Sequence, residues 1–204
     1  MKNVIQTTDN ETDLLDRAKQ GDERAFTELV HRYEDMVYNF SFKVCRDRSD
    51  ATETLQDTFV NVYRKLGQFD GKSKFSTWLY SIVANNCLMK RRRQKLEKAS
   101  VSIDEPRMPG HDDADGALRE ASLLAPWQAS PLDETMTKEL RSLLDVAIQK
   151  LPVDHRLVFI LRDLEGQSAE DTAKIMHLSV PAVKSRLRRA RVFLREQLNG
   201  YMTA

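Results

Sequence analysis

The sequence predicts an all-α protein of two small helical domains joined by a flexible acidic linker, the second ending in a helix-turn-helix. Three observations carry that prediction. Only 7 Gly and 6 Pro occur in 204 residues, too few turn-formers for a sheet-rich fold whose strands are joined by tight turns. Apolar residues recur at steps of three and four over residues 13–94 and again over 131–198, the spacing of one buried helical face. Between these zones the period lapses: residues 99–130 carry Pro106, Pro109 and Pro126, and residues 99–136 hold eight acids against two bases, a net of −6. So long a structureless stretch is uncommon inside one compact domain. The expected divisions are 1–95, 96–130 and 131–204.

Taken in order, a short helix beginning near Asp13 is closed by Gly21, and Asp22 caps the next. That helix carries Phe26, Leu29, Tyr33, Val37, Phe40 and Val44 as one stripe. Ser49 or Asp50 caps a third, with Ala51, Leu55, Phe59, Val62 and Leu66 inward and Gly67 as its stop. A loop then leads into a fourth helix from about Ser76. In the second zone Ser130 and Pro131 have the character of an N-cap and first turn, and Pro152 ends that helix at Leu151 and begins another, which runs to about Leu164. Ser168 and Asp171 resemble a capping box with Asp in place of Glu. A tight His177-Leu178-Ser179 turn introduces the last helix, with Ser179 as its cap.

Composition excludes several classes of function. The longest apolar run, Leu157 to Leu161, is five residues, far short of a bilayer span. The opening MKNVIQTTDNETD has neither an apolar core nor a cleavage site, so no export signal and a cytoplasmic location are expected. His31, His111, His155 and His177 are scattered without metal-ligand spacing, and no phosphate loop or nucleophile elbow occurs. No catalytic residue, metal, cofactor or small-molecule substrate is therefore expected. Cys45 and Cys87 cannot build a disulfide framework. They read as buried inert thiols, with a redox role as the alternative.

Two basic runs suggest nucleic acid. A short capped helix, a three-residue turn and a second helix have the proportions of a helix-turn-helix. In the second helix Val183, Leu187, Ala190, Leu194 and Leu198 form a narrow stripe. Lys184, Ser185, Arg188 and Arg189 fall away from it, near the end where recognition helices meet base edges. Lys184 to Arg195 holds six bases and no acid, which favours DNA over a merely solvated face. A second run, Lys90 to Lys98, has six bases against Glu97 and follows Phe75, Trp78 and Tyr80, with Asn85 and Asn86 between. Aromatics beside cations suit single-stranded DNA. Equally, Trp78, Leu79, Ile82 and Val83 suit a core while the arginines end a helix. By charge and proline content the acidic linker reads as a solvated tether, and Trp127 within it suggests docking.

The segment DATETLQDTFVNVYRKLGQFDGKSKFSTWLYSIVANNCLMKRRR resembles region 2 of the extracytoplasmic-function (ECF) sigma factors, and LPVDHRLVFILRDLEGQSAEDTAKIMHLSVPAVKSRLRRARVFLREQL resembles region 4. Together, in the family's order, the likeness covers residues 13–94 and 132–198. It implies a subunit that binds core RNA polymerase (β′ clamp and β flap) and directs it to promoter DNA, where binding opens the strands. It further implies clamp contacts at Thr52, Glu53, Gln56 and Asp57, although Thr52 stands where the family usually has an acid. The loop at residues 71–75 and the helix after it would capture a flipped −10 base, with Lys74, Phe75, Trp78, Asn85 and Arg91 as contacts. Arg162, Lys184, Ser185, Arg188 and Arg189 match positions that touch the −35 element. Arg188 stands where some members carry an aromatic. An anti-sigma factor is the implied regulator, with no membrane insertion of the chain itself.

Overall fold

The computed structural model describes residues 3–45, 47–97 and 138–202. The chain forms two compact units, Met1–Gln94 and Lys95–Ala204, and among the described residues every regular element is helical. The linker expected at 96–130, Trp127 and the cap expected at Ser130 lie outside the described residues, apart from the last turn of a helix that reaches Glu97.

In the first unit, α1 spans Asn3–Lys19, about ten residues more than the apolar period indicates. Residues 3–12 contain neither Gly nor Pro, so nothing breaks the helix, but they carry no stripe that would reveal it. Gly21, at φ +93°, closes α1 as the left-handed residue of a Schellman turn. Asp22 N donates to the Arg17 carbonyl and Gly21 N to that of Ala18, each at 3.1 Å. Asp22 then accepts from Arg24 N and Ala25 N at 2.9 and 3.1 Å, as expected of the cap of α2 (Glu23–Cys45). From α2, Leu29, Val37, Phe40 and Val44 are buried. Phe26 and Tyr33 are half-buried and meet Tyr63 and Phe75 edge-on, with centroids 5.1 Å apart in each pair.

The third helix, α3, spans Arg48–Lys65 and departs from expectation in its cap, its inner face and its end. Its cap is Asp47, not Ser49 or Asp50: Asp47 has extended backbone, and its carboxylate accepts from Asp50 N at 3.0 Å. All three residues are of types that cap well, so composition alone could not choose among them. The inward face holds Ala51, Thr54, Thr58 and Val62, while Leu55 and Phe59 are half-buried. The threonines go inside because partners await them. Asn86 Nδ2 on the fourth helix donates to Thr58 Oγ1 at 3.1 Å, and Asn61 Nδ2 donates to Asn86 Oδ1 at 3.1 Å. Nor does Gly67 stop the helix. The chain tightens into a 3-10 turn, Leu66–Gln68, which seats Leu66 in the core. The fourth helix, α4, runs Phe75–Glu97, one residue earlier than expected. It buries Phe75, Leu79, Tyr80, Ile82, Val83, Ala84 and Cys87.

In the second unit, α5 (Lys138–Lys150) ends before the buried Leu151, and Pro152 opens α6 (Val153–Phe159). The helix continues as a π turn, Ile160–Leu164, with Glu165 N donating to the Ile160 carbonyl at 2.9 Å. No sequence signal marked this widening. Leu157 to Leu161 are all buried, so the run lacks a polar face that would betray its period. Arg156 is buried with them because its guanidinium caps the end of α5, donating to the carbonyls of Ile148 at 3.1 Å, Gln149 at 3.0 Å and Leu151 at 2.5 Å. Next, α7 (Ala169–Met176) is capped by Ser168, whose Oγ accepts from Asp171 N at 2.9 Å and donates to Asp171 Oδ2 at 2.7 Å. His177 ends α7 at φ 52°, and α8 spans Val180–Met202 with Ser179 Oγ accepting from Ala182 N at 3.3 Å. Val183, Leu187, Ala190, Phe193 and Leu194 are buried on α8, which packs against α5, α6 and α7. No described helix is long and apolar enough to cross a membrane.

Candidate nucleic-acid interface

On α8 the apolar stripe faces the core and the donors face out. Lys184 and Arg188 are exposed, and Ser185 and Arg189 are half-exposed. They share the N-terminal half of the helix just after the turn, a geometry that presents side chains to a major groove. The six bases of this stretch have different duties, however. Arg191 Nε and Nη2 clasp the two oxygens of Asp163 at 2.8 and 2.6 Å, fastening the recognition helix to the π turn. That carboxylate holds the Arg191 guanidinium above its ordinary pKa. Arg186 lies 3.9 Å from Asp154 on α6.

Arg162 occupies a different position from the other four −35 candidates. It is half-buried in the π turn, where Nη1 donates to the Gln167 carbonyl and Nε is buried without a hydrogen-bond partner among the described residues. Arg162 thus braces the loop leading into α7. Beside α8, both ring nitrogens of His155 are buried without hydrogen-bond partners among the described residues. Burial, then the charges of Arg186 and Arg189, push its pKa down.

The first unit brings the −10 candidates to one end of α4 and along its length. Lys74, Asn85 and Arg91 are exposed, and Trp78 is half-buried. Phe75 lies in the core at 2% exposure, with Tyr33, Phe69 and Trp78 ring centroids at 5.1, 5.5 and 5.6 Å. The loop before it turns at Gly71, φ +71°, where Asp70 accepts from Lys72 N at 3.1 Å and pairs with Lys72 Nζ at 2.8 Å. Asn86 is half-buried and turned inward by its bonds to Thr58 and Asn61. In the basic run Lys90 turns to acids on α3, reaching Asp50 at 2.8 Å and Glu53 at 2.5 Å. Arg91, Arg92 and Arg93 are exposed.

Thr52, Glu53, Gln56 and Asp57 all stand exposed on α3, opposite the buried threonines. Thr52 Oγ1 donates to the Arg48 carbonyl at 2.9 Å, and Glu53 meets Lys90. Continuing the same strip, Val60 is 48% and Tyr63 63% exposed. Sequence reasoning missed these two. Their signal was present in the steps of three and four from Glu53 through Gln56, Val60 and Tyr63, but an apolar residue on a polar face breaks the binary pattern that periodicity detects. Among the described residues no group of three or more His, Cys, Asp or Glu is placed to hold a metal.

Residues 29–97 match the family model for sigma-70 region 2, and residues 141–194 match that for sigma-70 region 4. The RNA polymerase sigma-H factor of Pseudomonas aeruginosa is 34% identical over 188 residues, covering 91% of this chain and 92% of that protein. The ECF RNA polymerase sigma-E factor of Haemophilus influenzae is 32% identical over 192 residues, covering 93% and 95%. Among solved structures, CnrH in complex with the cytosolic domain of CnrY matches with a TM-score of 0.60 at 25% identity, covering 94% of this chain and 98% of that one.

Proposed function

Because the chain belongs to the extracytoplasmic-function sigma factors of the sigma-70 family, we propose that its two units divide promoter recognition between them on core RNA polymerase. The protein is a sigma factor: it binds core polymerase and directs it to promoter DNA for transcription initiation. The unit within residues 1–95 takes the −10 element and the polymerase clamp, residues 96–130 connect, and the unit within 131–204 takes the −35 element. Lys184, Ser185, Arg188 and Arg189 contact the −35 duplex, with Arg162 bracing the loop behind them. Lys74, Trp78, Asn85 and Arg91 meet the −10 strand over a floor that includes Phe75. The strip from Thr52 through Glu53, Gln56 and Asp57 to Tyr63 docks on the β′ clamp.

The chain performs no covalent step on DNA; strand opening draws on binding to extruded bases, each of which costs a few kcal/mol to unpair. The protein works in the cytoplasm beside core polymerase. An anti-sigma factor that covers these faces would silence it, consistent with the partner-bound state of CnrH. The observation that carries the reading is the outward Lys184, Ser185, Arg188 and Arg189 face on a helix whose opposite side is core. Run-off transcription with purified core polymerase tests it, together with start-site mapping after overexpression. Promoter-dependent transcripts sharing two spaced elements are expected. Tight operator binding by the chain alone, without association with core polymerase, would instead identify a conventional helix-turn-helix regulator.

A further inference from the structure

The sequence contains two cysteines, 42 positions apart, and folding brings them together. Cys45 is the last residue of α2, and Cys87 lies mid-way along α4. Their sulfurs stand 3.3 Å apart. A disulfide needs about 2.05 Å, so side-chain adjustment of roughly 1.2 Å closes the gap. The two thiols differ in access. Cys45 is half-buried, and Cys87 is 4% exposed. Thr54 Oγ1 lies 3.6 Å from Cys45 Sγ, and the Lys90 ammonium is held nearby through Asp50 and Glu53.

We propose that Cys45 and Cys87 form a reversible thiol–disulfide couple, closed by a peroxide and reopened by a dithiol, that links α2 covalently to α4. The order of events follows from the surroundings. The Cys87 thiol donating to Cys45, helped by Thr54 and Lys90, holds the Cys45 thiol below its ordinary value despite its burial, whereas its partner sulfur and burial push Cys87 up. Cys45 is therefore the attacking sulfur. Its thiolate takes one peroxide oxygen, the O–O bond breaks, and the departing hydroxide gains a proton to leave as water. Cys45 is now a sulfenic acid. The Cys87 sulfur attacks Cys45 Sγ, the S–O bond breaks, and the hydroxyl leaves with the Cys87 proton as a second water. Two thiols and one peroxide yield one disulfide and two waters. Exchange with a dithiol restores both thiols and oxidises the reductant.

This chemistry does not depend on the promoter reading. The test treats the reduced full-length protein with hydrogen peroxide and follows intact mass, maleimide labelling and non-reducing peptide maps. Expected are a monomer lighter by two hydrogens, protection of both cysteines, a linked Cys45–Cys87 peptide, and full recovery with dithiothreitol. In Cys87→Ser, dimedone should trap a sulfenic acid at Cys45. In Cys45→Ser, labelling of Cys87 by dimedone should be roughly tenfold slower, as expected of a buried thiol without an activating partner. Three results would each overturn the proposal. They are a Cys45 oxidised beyond sulfenic acid while Cys87 remains labelled, a disulfide only between chains, or two free thiols after the peroxide has oxidised cysteine in the same tube. The wild-type measurement stands even if a variant fails to fold.

Discussion

Arg189 and Arg191 carry the same charge two residues apart on α8, yet their surroundings separate them. Arg191 is gripped by both oxygens of Asp163, while Arg189 stands half-exposed with Lys184 and Arg188 on the outer face. Arg189→Ala should weaken binding of the polymerase holoenzyme to the −35 duplex by about 1–3 kcal/mol, the range for one base-reading side chain. Association with core polymerase, measured by co-elution, should stay unchanged; loss of both would mean that Arg189 serves folding. His177 offers a different residue-scale experiment. It ends α7 at φ 52°, with Leu178 N donating to the Ala173 carbonyl at 2.9 Å. A side chain there resists the left-handed region that glycine enters freely. His177→Gly should therefore raise the stability of the second unit by up to about 1 kcal/mol in thermal denaturation, and a decrease would show that the imidazole contributes contacts of its own.

Helix α3 carries two unlike sides. Its inner side turns Thr58 to Asn86 and Thr54 to Cys45, and its outer side carries Gln56, Asp57, Val60 and Tyr63. Because Gln56 and Asp57 are exposed on α3, their double alanine variant should keep its helical content. It should bind core polymerase at least about fivefold more weakly, since interface centres depend on a few contacts worth 1 kcal/mol or more. Equal affinity in a titration would remove α3 from the clamp interface. The junction of α6 with α8 predicts a pH effect. The ring nitrogens of the half-buried His155 find no hydrogen-bond partner among the described residues, and its pKa lies below the ordinary 6.5. The unfolded chain then binds a proton more readily than the folded one. Stability of the second unit is full above about pH 6.5 and declines as pH falls through the depressed folded value. His155→Gln should flatten that decline in urea melts at pH 5 to 7; an unchanged slope would assign the decline to other groups.

At the scale of the whole molecule the formal charge is only +1, and this near-neutrality hides a separation of charge. An acid-free stretch from Lys184 to Arg195 and an arginine run on α4 are balanced by the net −6 of residues 99–136. Promoter binding should follow the local charge. The log–log slope of holoenzyme affinity against salt should become shallower by about 0.9 in Lys184→Ala, one phosphate contact. An identical slope would place Lys184 away from the backbone. The all-helical class, the two zones, the caps at Asp22, Ser168 and Ser179 and the outward donors of the last helix were legible in the sequence, because periodicity and capping act over three or four neighbouring residues. The start of α1, the Asp47 cap, the inward threonines, the π turn, the burial of Phe75 and the pairing of Arg191 and Lys90 were not. Each depends on what a distant segment places opposite the residue. A threonine becomes core only when Asn86 arrives to bond it, an arginine becomes a fastening only beside Asp163, and two thiols 42 positions apart become a pair only when α2 packs beside α4. Local chemistry determined which faces exist; tertiary packing decided which of their side chains remain outside to act.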